Sequence, residues 1–148
     1  MRDIFEPIRP NAAKAVFSLE ILRIVLALLI LIHGVFRATM SGVPPFGVWL
    51  ESQGFPFGIG WAWLVTIIEL AGPLLLLSRR LVAPVALLHA FILSIGMVLV
   101  HLPFGWFVVG AGRNGMEYSV LLIAGLLLVA WSYSGKQKVA ANDGVETG

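Results

Sequence analysis

The 148-residue chain contains no cysteine. That excludes disulfides, thiolate metal sites, cysteine-held iron–sulfur clusters and thiol redox chemistry by the chain itself. It leaves the redox state of any partner open. Charge is scarce too, at 12% of residues, with a formal net charge of +2 and the basic residues dispersed. No concentrated basic stripe faces a phosphate backbone, so nucleic acid is not an expected partner. No convincing internal repeat is present. Arg23–His33 and Arg79–His89 share one offset, and nothing else follows it.

What remains is apolar. Hydrophobic residues make up 59% of the chain, and the mean hydropathy is +0.94, well outside the soluble-domain average. Four stretches, at about 19–37, 58–77, 81–101 and 116–133, approach the ~20 apolar residues that cross a bilayer core. The first follows a basic flank, as a signal peptide would. It is span-length, lacks a small-residue cleavage site and precedes further spans, so it reads as a retained helix.

The expected fold is all-α, an integral membrane four-helix bundle in the lipid bilayer. Residues 1–18 form a cytoplasmic arm, 19–134 the membrane domain and 135–148 a disordered polar tail. Ser18 is the candidate cap of the first helix, with Glu20 in its first turn. In the first outer loop, Pro44–Pro45 can start and Gly54 with Pro56 can stop a short interfacial helix. Ser78-Arg79-Arg80 leaves room only for a hairpin. Placing both termini in the cytoplasm puts Arg2, Arg9, Lys14, Arg79, Arg80, Lys136 and Lys138 inside, and only Arg37 and Arg113 outside. That bias sets the orientation N-in/C-in.

The ionisable residues within the spans carry the functional question. Glu69 sits near the middle of the second span, where a carboxylate costs at least ~2.5–3.5 kcal/mol unless it faces protein, finds a partner or stays protonated. Gly72 is one turn away, and Pro73 should kink the helix and free a carbonyl. Arg23, His33 and Arg37 fall within an arc of about 80° on the first helix, a face turned to other helices. Arg23 either snorkels to the headgroups, helped by Glu20, or tunes Glu69. Arg37 reads as a marker of the outer interface. His33 beside Gly34 reads as a packed histidine at a helix crossing. His89 is mid-span on another face. Glu117 suits the start of the fourth helix.

Helical rise places His101 and Glu117 at the outer boundary, His33 roughly 5–10 Å down, Glu69 about 16 Å down and Arg23 deeper. His33, Glu69, His101 and Glu117 therefore come from four helices and can converge on one outward-facing pocket. Such a pocket suits a quinone headgroup, a transported proton or a buried structural network. Haem is not expected, because His33 and His101, the one plausible ligand pair, differ in depth by several ångströms. The spacing matches no metal motif. Transport by so small a chain would call for a homo-oligomer.

The ordered pieces LLILIHG, FGVWLESQGFP, LVTIIELAGPLLLLSRR, VLVHLPFGWFV and GMEYSVLLIAGLLL lie within roughly Leu22–Leu128. Their order resembles the DoxX family of small bacterial and archaeal membrane proteins. His33-Gly34, Gly54, Glu69, Gly72, Arg79, His101 and Glu117 fall where that pattern expects them, while Pro73 replaces a second glycine. The resemblance implies a four-helix bundle in the cytoplasmic membrane and an association with respiratory redox chemistry. The family takes its name from a subunit of a terminal quinol oxidase, and relatives are linked to thiosulfate:quinone oxidoreduction and to oxidative-stress complexes. It implies no catalytic residue. Two expectations follow. One is a quinone-linked subunit, in which Glu69 and His33 handle a quinol proton beside a membrane or soluble oxidoreductase partner. The other is a non-catalytic scaffold, in which the polar residues fix helix register.

Overall fold

The computed structural model describes residues 11–109 and 114–135. The expected tail, most of the N-terminal arm and Arg113 lie outside the described residues, as do Arg2, Arg9, Lys136 and Lys138. All regular structure among the described residues is helical. Three helices are long and apolar enough to cross a membrane, namely Ala12–Thr39, Gly58–Leu77 and the continuous helical run Val82–Phe104.

Helix α1 (Ala12–Thr39) begins a full two turns before the expected start. Asn11, not Ser18, is its cap, with the Asn11 side chain accepting from Lys14 N at 3.2 Å. Ser18 sits inside the helix and donates to the Lys14 carbonyl at 2.8 Å. Ala12, Ala13 and Ala15 are strong helix formers that carry the apolar helix back into the arm.

Helix α2 (Val43–Ser52) starts on the expected proline pair and lies across the beginning of α3 (Gly58–Leu77). Gly47 packs against the backbone at Gly58 and Ile59, a crossing with no room for a side chain. Val43, Leu50 and Ala62 form a small core there. Glu51 accepts from the Gly58 backbone N–H at 3.1 Å and so supplies the carboxylate that the N-terminus of α3 lacks locally.

The Ser78–Leu81 turn joins α3 to α4 (Val82–Gly96), with Arg79 and Leu81 in the left-handed region at φ 57° and 52°. After Gly96 the helix does not run on regularly to His101 as expected. It widens into a π turn over Met97–His101 and tightens into a 3₁₀ turn over Leu102–Phe104. Pro103 has no N–H to donate, and the positive φ of Gly105 (81°) ends the run. Helix α5 (Glu117–Ser132) follows, and its 16 residues make it shorter than the three span-length helical runs.

Helix α1 packs against α3 and α5, while α4 packs against α5 and α3. The main core lies at the end far from α2, where Leu26, Ala27, Ile30, Leu76, Val85, Ala86, Leu126 and Val129 meet. Small residues such as Ala27, Ala86 and Ala130 let the helices approach closely. From Phe91 to Val109 no residue is buried, so the α2 end of α4 is loosely held. Leu28, Ile32, Ile67, Leu88, Phe91, Leu121 and Trp131 face outward from all four long helices, an exterior suited to lipid.

Candidate functional site

Glu69 lies on the buried face of α3, 6% exposed. Its partner is Arg37, whose Nη1 donates to Oε2 at 2.6 Å, with Nη2 3.5 Å from Oε1. The guanidinium also stands 4.5 Å above the Phe46 ring, and Phe46 stacks on Trp49 at 5.9 Å between centroids. Three elements thus build the site: α1 supplies the cation, α3 the anion and α2 an aromatic shelf. The pairing corrects two expectations. Arg37 does not simply mark an interface, and Arg23 does not tune Glu69. The side chain of Arg37 reaches down the helix, a reach that depth measured by helical rise alone omits.

Arg23 is buried at the opposite end, 2% exposed, rather than snorkelling outward. It donates to the terminal carbonyls of α3, Leu76 O and Leu77 O, and to Glu20 at 2.7 Å. Glu20 also accepts from Arg79 Nη2 at 2.9 Å and from the Tyr133 hydroxyl. One carboxylate therefore ties α1, the α3–α4 turn and the end of α5 together.

The remaining residues have separate surroundings. His33 is exposed, so it is not the packed histidine expected; its neighbour Gly34 makes the helix crossing instead. His33 lies at the edge of the α1 arc, just beyond the strip that neighbouring helices cover. His101 ends the π turn and its Nδ1 contacts Asn114 O at 2.9 Å. Glu117 opens α5, accepts from Val108 N at 3.1 Å and donates its own N–H to Trp106 O. His101 and Glu117 thus fasten the segment between α4 and α5. No hydrogen bond joins any two of Arg23, His33, Glu69, His101 and Glu117.

His89 was singled out by no motif. It is 1% exposed, its Nδ1 contacts Val85 O at 2.9 Å, and its Nε2 has no partner. The imidazole fills the space beside Gly72, where any side chain on α3 would overlap it. Gly72 one turn from Glu69, together with a histidine in mid-span, was the available signal.

No group of three or more His, Asp or Glu residues able to hold a metal is gathered among the described residues. A shallow apolar groove of about 410 Å³ runs along α1, lined by Leu31, Ile32, Val35, Phe36, Thr39 and Met40. It includes none of the ionisable residues above.

No curated protein and no solved structure matches the chain. The family model described as DoxX matches residues 18–102, more than half of the chain, from α1 through the π turn. The match takes in Arg23, Arg37, Glu69, His89 and His101 and ends before Glu117. This chain belongs to the DoxX family.

Proposed function

We propose that the chain is a four-span, N-in/C-in protein of a bacterial or archaeal cytoplasmic membrane, acting as a quinone-linked subunit of an oxidoreductase. Helix α5 serves as the fourth span. Its rise of about 24 Å falls a little short of a ~30 Å core, and the exposed aromatic residues Phe104, Trp106 and Phe107 extend the apolar surface at its start. The exposed cations Lys14, Arg79 and Arg80 at the far end support its assignment to the cytoplasmic side.

The Glu69–Arg37 pair carries the functional reading. Only one Glu69 oxygen is held closely, and the guanidinium has five N–H donors of which two are directed at Glu69. The pair keeps hydrogen-bonding capacity under an aromatic shelf, at the loosely packed end of the helices. A quinone carbonyl can accept from Arg37, a quinol hydroxyl can donate to Glu69, and Phe46 offers a ring face. His33, His101 and Glu117 belong to the same outer half, each in surroundings of its own.

The test is Glu69→Gln in the assembled complex. Quinone-dependent turnover should be lost while the subunit is retained, and quinone co-extracted with wild-type protein should disappear. Full turnover in that variant would refute the reading. A non-catalytic scaffold is the second reading, favoured by the way Glu20 joins three parts of the fold. Under it, Glu69→Gln changes partner assembly while turnover per assembled complex is unchanged, and wild-type protein carries no quinone.

A further inference from the structure

We infer that the end of the helices opposite α2 binds an anionic phospholipid, whose phosphate pairs with Arg79 and Arg80 in a positive field that Lys14 extends. An imbalance of charge carries the inference. Lys14, Arg23, Arg79 and Arg80 are gathered at this end against one carboxylate, Glu20, which already serves both Arg23 and Arg79. Three positive charges are left over. The adjoining segments 1–10 and 136–148 each carry two basic and two acidic residues, so they bring no net charge to offset the excess. The α2 end has the opposite balance: among the described residues, Arg37 stands there with Glu51, Glu69 and Glu117.

Position and neighbours decide which anion meets that excess. Helix α1 has 28 residues and rises about 42 Å. A hydrocarbon core is ~30 Å thick, so the ends of α1 reach the headgroup layers. Arg79 and Arg80 occupy the α3–α4 turn, which Glu20 ties to the same end of α1. Arg79 is committed to Glu20 through Nη2, and among the described residues Arg80 and Lys14 have no ion-pair partner. A guanidinium has five N–H donors, so both arginines keep donors for phosphate oxygens. Exposed apolar side chains stand beside these cations: Phe17 one turn from Lys14, Leu81 directly after Arg80, and Trp131 near the end of α5. A soluble anion would engage the cations and leave those apolar surfaces bare. A phospholipid meets both, with its phosphate on the guanidinium groups and its acyl chains along the apolar side chains.

The experiment reconstitutes full-length protein in nanodiscs of equimolar phosphatidylglycerol and phosphatidylcholine, extracts it in neutral detergent and counts the retained phospholipids by native mass spectrometry. Wild-type protein should retain phosphatidylglycerol in preference to phosphatidylcholine, and the preference should fall as salt is raised. Arg80→Gln should reduce the preference about five-fold, the factor that one basic residue contributes at an anionic surface. Lys14→Gln combined with Arg80→Gln should reduce it further. Thermal unfolding of both variants in lipid-free neutral detergent should match wild type, because neither side chain has an ion-pair partner within the described fold. Equal retention of the two lipids by wild-type protein overturns the inference, and so does an unchanged preference in the double variant. A third arm adds inorganic phosphate to lipid-free wild-type protein. Phosphatidylglycerol should raise its unfolding temperature and inorganic phosphate should not; equal protection by both would make this a site for a free anion and refute the lipid assignment.

Discussion

Gly34 lies against Glu69 so closely that a Cβ on residue 34 would stand 3.0 Å from the Glu69 carbonyl carbon, oxygen and Cβ. The proline at position 73 withholds the N–H that would normally bond the Glu69 carbonyl, so α1 presses on an unusually free stretch of α3. The close approach also sets where Arg37, one turn beyond Gly34, meets the carboxylate.

Substituting Gly34 should therefore act on both packing and the ion pair. Gly34→Ala forces α1 and α3 apart by a few tenths of an ångström at a backbone contact that cannot swing aside, and overpacking of this kind costs about 1–3 kcal/mol. Gly34→Val should cost more. Unfolding in mixed micelles would measure the loss, and unchanged stability in both variants would contradict the crossing.

Arg37→Gln should be more damaging than its place near the end of α1 suggests. Removing one partner of an enclosed ion pair leaves the other charge uncompensated, at about 3–5 kcal/mol. Arg37→Gln combined with Glu69→Gln should be less destabilised than the sum of the two single variants. A double-mutant cycle on unfolding free energy reads the coupling, expected at about 0.5–3 kcal/mol. Strict additivity would mean that the pair contributes nothing.

The sequence carried the helical character, the hairpin at Ser78–Arg80 and the short helix begun by Pro44–Pro45, because composition, length and proline act locally. Family membership was legible in the order of its motifs. Pairings across helices were not. Arg37 and Glu69 are separated by 32 residues, and Glu20 and Tyr133 by 113. Their meeting depends on helix rotation and side-chain reach, which periodicity does not resolve. His33, expected to be packed, is exposed, and His89, placed only in mid-span, is buried, for the same reason. Each lies in an apolar run, and only the neighbouring helix decides which one is covered.

Glu20 and Arg79 offer a contrast in how much one ion pair contributes. The Arg79 side chain is 65% exposed, so Arg79→Ala should cost no more than about 1 kcal/mol through its charge. Glu20→Gln removes the charge shared by Arg23, Arg79 and Tyr133 and turns one of its two accepting oxygens into a donor, leaving Arg23 buried without its counter-charge, at about 3–5 kcal/mol. Hydrogen exchange should then rise at the far ends of α1 and α5 together. Equal effects from the two substitutions would contradict the shared-carboxylate arrangement.

Glu51 provides the last test, because its effect should be confined to the beginning of α3. Its carboxylate accepts from Gly58 N, and the preceding residue Phe57 supplies no side-chain cap. The first N–H groups of a helix have no partner within it, so Glu51→Ala exposes that need directly. A lost cap of this kind costs about 0.5–2 kcal/mol. Because α2 and α3 share Val43, Leu50 and Ala62, the loosening should spread into α2 before it reaches the far core. Faster amide exchange at Gly58 and through α2, with unchanged exchange around Leu126, is the expected pattern. Uniform acceleration along all helices would instead make Glu51 a support of the whole fold, and no change at all would deny it the capping role.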